Sequence, residues 1–273
     1  MLKINNDNFL NESQIREQAS SIFTTKGAPG TSEKYSHIPT NQIIQDMEKL
    51  GWGVVDAKQV RARKGEGYQK HLVVFRNPDV VINGADGDTV FPQILLTNSS
   101  DGKNAFTFTA GLFRMVCENG LVISTQEFEN MKIRHYGYDF ETIKGAVNEL
   151  VEQIPDYMKQ VDDMKEQKLE REQMLEFARQ AAMLRMTKVN EEAIDKVVDV
   201  EDLLSADRKE DEGNGLWEVF NRLQEKVVNG KFNYALGKKE RKARPVKGFK
   251  SQVKLNQDLW ELASSYLPET AAV

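Results

Sequence analysis

The spacing of apolar positions changes near Asp139. Before it, short apolar runs alternate with turns rich in glycine, asparagine and aspartate, which is the pattern of strands. After it, apolar residues recur at intervals of three and four among Glu, Lys, Gln and Met, which is the pattern of helices. The predicted fold class is α+β, with a strand-rich region over residues 1–138 and a mainly helical region, ending in a basic segment, over 139–273.

Within the first region a short helix is expected over residues 12–25, followed by a flexible connector, Lys26-Gly-Ala-Pro-Gly-Thr-Ser32. A better-marked helix follows. Ile43, Ile44, Met47 and Leu50 form one stripe, Thr40 or Asn41 is placed to cap its start, and Gly51 can take the left-handed stop. Residues 54–63 and 68–76 read as two strands joined by Lys64-Gly-Glu-Gly67, which sets Arg61 and Arg63 on one face. Strands over 91–98 and 105–117 flank a hairpin turn at Asp101-Gly102, and Asn119-Gly120 is expected to turn into a further strand over 121–124. The run from Gly111 to Cys117 also fits the start of a buried helix, because short apolar runs do not distinguish the two.

In the second region Ile143, Val147, Leu150, Val151 and Ile154 keep helical spacing, and Pro155 should kink or divide the helix. Residues 157–185 suit a long exposed helix or coiled-coil arm, folding back as a helical hairpin or meeting a second copy as a homo-oligomer. Trp217, Phe220 and Leu223 read as one core-facing stripe. Asn221 and Glu225, four apart on that helix, are placed to bond each other or to cap a neighbouring segment.

Composition narrows the class of protein. With 273 residues and 40% apolar content the chain can build a sizeable core. Its first residues lack the pattern of a secretory signal, and no apolar stretch approaches the roughly 20 residues that cross a bilayer, so a cytoplasmic protein without a membrane partner is expected. The single cysteine, Cys117, excludes an internal disulfide and a cysteine metal cluster and reads as a buried, inert thiol.

Catalytic patterns are missing from the sequence. No GxxxxGK[ST] loop is present, and Gly65-Glu-Gly67 lacks the third glycine of a dinucleotide fingerprint. His37, His71 and His135 have no paired spacing, and Asp86 with Asp88 falls short of the six or so oxygens calcium requires. No catalytic residue, metal site or cofactor is therefore expected, and a nuclease or hydrolase built on Asp86, Asp88 and Asp101 is the least favoured reading.

A net charge of −5 conceals a seam. Residues 191–212 carry ten carboxylates against three basic residues, and residues 226–254 carry ten Lys or Arg against Glu240 alone. Clustered cations bind phosphate backbones whatever the net charge, so nucleic acid is the leading partner. The expected contacts are Lys238, Lys239, Arg241, Lys242, Arg244, Lys247 and Lys250, with Arg61, Arg63 and Lys64 of the first hairpin joining them if both patches share a groove. Phe232, Tyr234, Phe249 and Tyr68 could stack on unpaired bases, which favours single-stranded DNA over duplex. Alternatively, the two charge blocks neutralise each other, or the acidic block imitates phosphate and inhibits a host defence enzyme.

Two segments carry a family likeness. Leu96-Thr-Asn-Ser-Ser-Asp-Gly-Lys-Asn-Ala105 with Gly111-Leu-Phe-Arg-Met-Val-Cys-Glu-Asn-Gly-Leu-Val122 is the first. Leu216-Trp-Glu-Val-Phe-Asn-Arg-Leu-Gln-Glu-Lys-Val-Val-Asn-Gly230 with Asn256-Gln-Asp-Leu-Trp260 is the second. Together they resemble an uncharacterised phage and plasmid family, domain of unknown function 932. The resemblance spans about residues 40–262. It implies a mobile-element protein of the bacterial cytoplasm, with tasks such as replication, annealing or recombination, and brings no catalytic residues to carry over.

Overall fold

The structure, a computed structural model, describes residues 9–31, 35, 37–61, 67–80, 82–83, 89–103, 106–114, 119–121, 140–237 and 239–268. Arg63, Lys64, Asp86, Asp88, Cys117, His135 and Lys238 lie outside the described residues. The chain forms two compact units, Met1–Ile154 and Pro155–Val273.

The first unit opens with α1 (Glu12–Gln18), started by a capping box between Asn11 and Gln14, and a single 3-10 turn over Ser20–Phe23. The next helix, α2 (Thr40–Lys49), buries Ile43, Ile44 and Met47, and Gly51 takes the left-handed conformation (φ +84°) that stops it. Neither Thr40 nor Asn41 caps it; the N-cap position is Pro39, with no side-chain cap. The Thr40 hydroxyl is engaged elsewhere, 2.8 Å from His71 Nε2 and accepting from Asn98 Nδ2 at 2.9 Å.

The strands are β1 (Gly53–Gln59), β2 (His71–Arg76), β3 (Ile82–Asn83), β4 (Thr89–Asn98), β5 (Thr107–Arg114) and β6 (Asn119–Leu121). They pair antiparallel in the order β1-β2-β4-β5-β6, with β3 also on β4. Every residue of β2 is buried, as a strand covered on both faces requires. Val73, Phe75, Ile94, Leu96 and Phe108 share one face through the β2–β4–β5 register, each burial worth about 1.5–3 kcal/mol. At the β4–β5 hairpin Asp101 Oδ1 accepts from Ser99 Oγ at 2.7 Å and Lys103 N at 3.0 Å, and Gly102 has φ +71°.

One open sequence reading is decided here and one changes. The run beginning at Gly111 continues β5 as a strand to Arg114, because its backbone groups are already committed to the β4 ladder. Asn119 and Gly120 do not form the turn: they belong to β6 and pair with Arg114 and Phe113. The unit closes with α3 (Phe140–Glu152), whose Ile143, Ala146, Val147 and Leu150 are buried.

The second unit is helical. Pro155 divides the expected helix, since α3 ends at Glu152 and α4 (Ile154–Glu166) carries the proline in its first turn, where no amide hydrogen is missed. Residues 157–185 are not one exposed arm. Between α4 and α5 (Arg171–Arg185) the backbone leaves the helix to pair elsewhere: Leu169 N donates to Asn214 O at 2.9 Å and Leu216 N to Gln167 O at 2.8 Å. Phe177, Ala178, Ala181 and Ala182 bury α5 among the short helices α6 (Ile194–Val197) and α7 (Val200–Leu203) and the long α8 (Leu216–Asn229) and α9 (Phe249–Ser264). Trp217 and Phe220 stack at 5.8 Å, and Trp260 meets Phe220 edge-on at 5.8 Å, which forms the centre of this core. A two-stranded ribbon, β7 (Asn233–Leu236) and β8 (Lys239–Lys242), follows α8.

Candidate nucleic-acid interface

The ribbon places the basic block on the surface for local reasons. Gly230 ends α8 in the left-handed conformation, and β7 and β8 then pair with Tyr234 opposite Arg241 and Asn233 opposite Lys242. Val198 bridges Tyr234 on the far side of β7, so β8 is the outer strand among the described residues. All four β8 residues are exposed, and the charges of Lys239, Arg241 and Lys242 are tolerated there because the strand covers no core.

After β8 the chain stays extended and is held at three points. Ala243 N donates to Phe232 O at 2.9 Å, Arg185 Nη2 donates to Arg244 O at 2.5 Å, and Val246 N donates to Val228 O at 2.9 Å. The cationic side chains of Arg244 and Lys247 stay exposed on this fixed backbone. Lys239, Arg241, Lys242, Arg244 and Lys247 form no ion pair with another described residue.

Other charges of the seam are neutralised internally. Lys226, 4% exposed, bonds Asp202 O and Ser205 Oγ and lies 4.0 Å from the Asp202 carboxylate. Lys231 bonds Glu225 and, at 3.2 Å, Asp207; the Glu225 hydrogen bond is the main cause that raises the ammonium pKa. Arg208 pairs with both Glu225 and Asp211. Glu225 therefore does not bond Asn221. Its buried carboxylate requires cations, while Asn221 Nδ2 donates to Trp217 O at 2.7 Å.

Phe232 is 3% exposed and belongs to the core, so it offers no ring to a base. It precedes β7, its carbonyl accepting from Ala243 N, whereas Tyr234 on β7 is half-buried opposite exposed Arg241. Phe249 and Lys250 begin α9, and their side chains lie outside the described ones. Arg61 is exposed and Tyr68 half-buried near the first hairpin, whose Gly67 carbonyl accepts from Thr24 Oγ1. These two residues belong to the first unit and the ribbon to the second.

Two contributors to the interface escape sequence reading. Arg185 lies 59 residues from Arg244 and carries no local signal of the contact. Gly230 is legible as a helix stop, but its packing is not: a Cβ there would lie 2.5 Å from the Arg244 carbonyl carbon. His71 is a third residue whose setting only the fold shows. It is buried with Ser21, Thr40 and Asn98, and burial is the main cause that lowers its pKa to about 4. It reads as a structural histidine. Among the described residues no cluster of His, Cys, Asp and Glu could hold a metal ion, and no helix is long and apolar enough to cross a membrane.

An α+β chain of this build, with its basic ribbon, is matched by the family described as domain of unknown function (DUF932) over residues 30–260, and it belongs to that family. It is similar to UPF0380 protein YafZ of Escherichia coli strain K12, 28% identical over 276 residues covering 97% of this chain and 94% of that protein. UPF0380 protein YfjQ of the same strain is 27% identical over 269 residues, with 97% and 94% covered. No solved structure matches the chain.

Proposed function

We propose that this protein binds nucleic acid through β8 and the extended segment behind it, preferring single strands, in a phage- or plasmid-type cytoplasmic role in replication, annealing or recombination without catalysis of its own. The observation that carries this reading is the row Lys239, Arg241, Lys242, Arg244 and Lys247, all exposed and in no ion pair with a described residue. Such cations gain affinity by releasing counterions from phosphates. Because the backbone of residues 243–246 is already tied to α5, α8 and Phe232, little ordering cost is added on binding. Tyr234 beside Arg241 supplies a ring for an unpaired base, a stack worth about 1–3 kcal/mol.

Fluorescence anisotropy of a labelled single strand and its matched duplex, at low and moderate salt, tests the proposal. Salt-sensitive binding that favours the single strand, and is weakened by Tyr234→Ala, supports it. No binding at low salt overturns it.

The rival reading, a phosphate mimic that inhibits a host enzyme, has less support. Asp195, Glu201, Asp202, Asp207 and Asp211 are paired with Arg179, Arg171, Lys226, Lys231 and Arg208, respectively, which removes much of the negative surface it needs.

A further inference from the structure

The first unit holds a cavity of about 380 Å³ between α1, the 3-10 turn and α2. That volume lies within the roughly 300–1,000 Å³ typical of small-molecule sites. Buried Ile15 and Ile44 supply apolar lining. One wall is a π surface: the Arg16 guanidinium carbon stands over the Phe23 ring, 3.9 Å from its centroid. Aromatic rings and guanidinium planes are the groups on which flat heterocycles stack.

The polar lining is biased toward acceptors. Glu48 lines the cavity and forms no ion pair with a described residue. Asn41 Oδ1, another lining side chain, is buried without a hydrogen-bond partner, an arrangement that is costly unless a donor arrives. Gln45 adds an amide that can donate or accept. Among the described residues the only cation of the lining, Arg16, is already paired with Glu12 at 2.7 Å. The described lining therefore offers no spare positive charge for a phosphate.

We propose that this cavity binds a guanine base, as the free base or nucleoside and not as the nucleotide. Guanine presents two adjacent donors, N1–H and the 2-amino group, which a carboxylate accepts together in a charge-assisted pair. Its O6 and N7 acceptors remain for the Gln45 amide. Adenine has an acceptor at N1, which would face Glu48, so it binds more weakly. The site lies in the first unit and does not depend on the ribbon's role.

Isothermal titration of the full chain with guanosine, adenosine, guanosine monophosphate and spermidine decides the matter. Saturable one-to-one binding of guanosine is expected, with adenosine and the monophosphate each weaker by about tenfold or more. Glu48→Gln, an exposed near-isosteric change, should weaken guanosine by about tenfold at an unchanged thermal midpoint. Phe23→Leu should weaken all flat ligands together. The proposal is overturned by no guanosine binding, by equal binding of both nucleosides, by indifference to Glu48→Gln, or by spermidine binding in guanosine's place.

Discussion

Gly230 and Arg244 pack backbone against backbone: a Cβ added at Gly230 would lie 2.5 Å from the Arg244 carbonyl carbon and 2.8 Å from its oxygen. The glycine that stops α8 thereby seats the basic segment against the end of that helix. Gly230→Ala meets both this clash and the left-handed backbone (φ +66°), so a loss of about 2 kcal/mol in stability is expected. Urea denaturation measures it, and an unchanged midpoint would show that the segment moves aside freely.

Arg185 donates a hydrogen bond to the same carbonyl. Arg185→Met keeps most of the side-chain bulk and removes the hydrogen bond. If the ribbon binds phosphates, affinity should fall by about three- to tenfold while the dependence of log affinity on log salt keeps its slope, since no phosphate contact is lost. A change in slope would place Arg185 on the ligand itself.

Arg241, Lys242 and Arg244 are exposed, and replacing all three with Ala removes no core contact. For a single strand each lost phosphate contact lowers the steepness of the salt dependence by about 0.7, so the triple variant should lose about 2 in slope. Its thermal midpoint should stay within about 2 °C of the parent's, as surface changes normally do. Unaltered binding by this variant would exclude the ribbon as the site.

Buried His71 makes the first unit acid-sensitive. The Gln69 carbonyl can only accept, so Nδ1 carries the hydrogen, and Nε2 accepts from the Thr40 hydroxyl, which in turn accepts from Asn98. The folded pKa is lowered to about 4 from 6.5, so between these values the unfolded chain binds the proton and the folded one does not. The resulting stability is fully present above pH 6.5 and is lost as pH falls toward 4, by about 3 kcal/mol. The carboxyl of Asp56, raised mainly by burial, works in the opposite direction, favouring the fold at low pH and losing that contribution as pH rises through its folded value. Denaturation of the parent and His71→Gln at pH 7.5 and 4.5 isolates the histidine. The variant should be less stable at pH 7.5 and flatter with pH, and identical pH profiles would remove His71 as the cause.

Much of the fold is legible where one local signal dominates. The α2 stripe, the Gly51 stop, the Asp101-Gly102 turn and the core spacing of Trp217, Phe220 and Leu223 all depend on neighbours within a few residues. Thr40 misleads as a cap because the competing partners for its hydroxyl, His71 and Asn98, are 31 and 58 residues away. The break at 167–170 is hidden for the same reason, since its backbone bonds go to residues 214 and 216. The composition of 157–185 resembles an exposed helix because alanines, which bring α5 close to its neighbours, add little to an apolar stripe.

The candidate site divides along the same line. The sequence by itself determined an α+β chain and a dense basic block, because periodicity and charge are properties of consecutive residues. Only the tertiary structure decided which cations are spent inside, as Lys226 and Lys231 are, and which stand free of described partners on an anchored strand, as Arg241 and Lys242 do. It also withdrew Phe232 into the core while leaving its near neighbour Tyr234 only half-buried. Pairing and burial are set by groups brought together across tens of residues, and no local pattern encodes which carboxylate a lysine will meet.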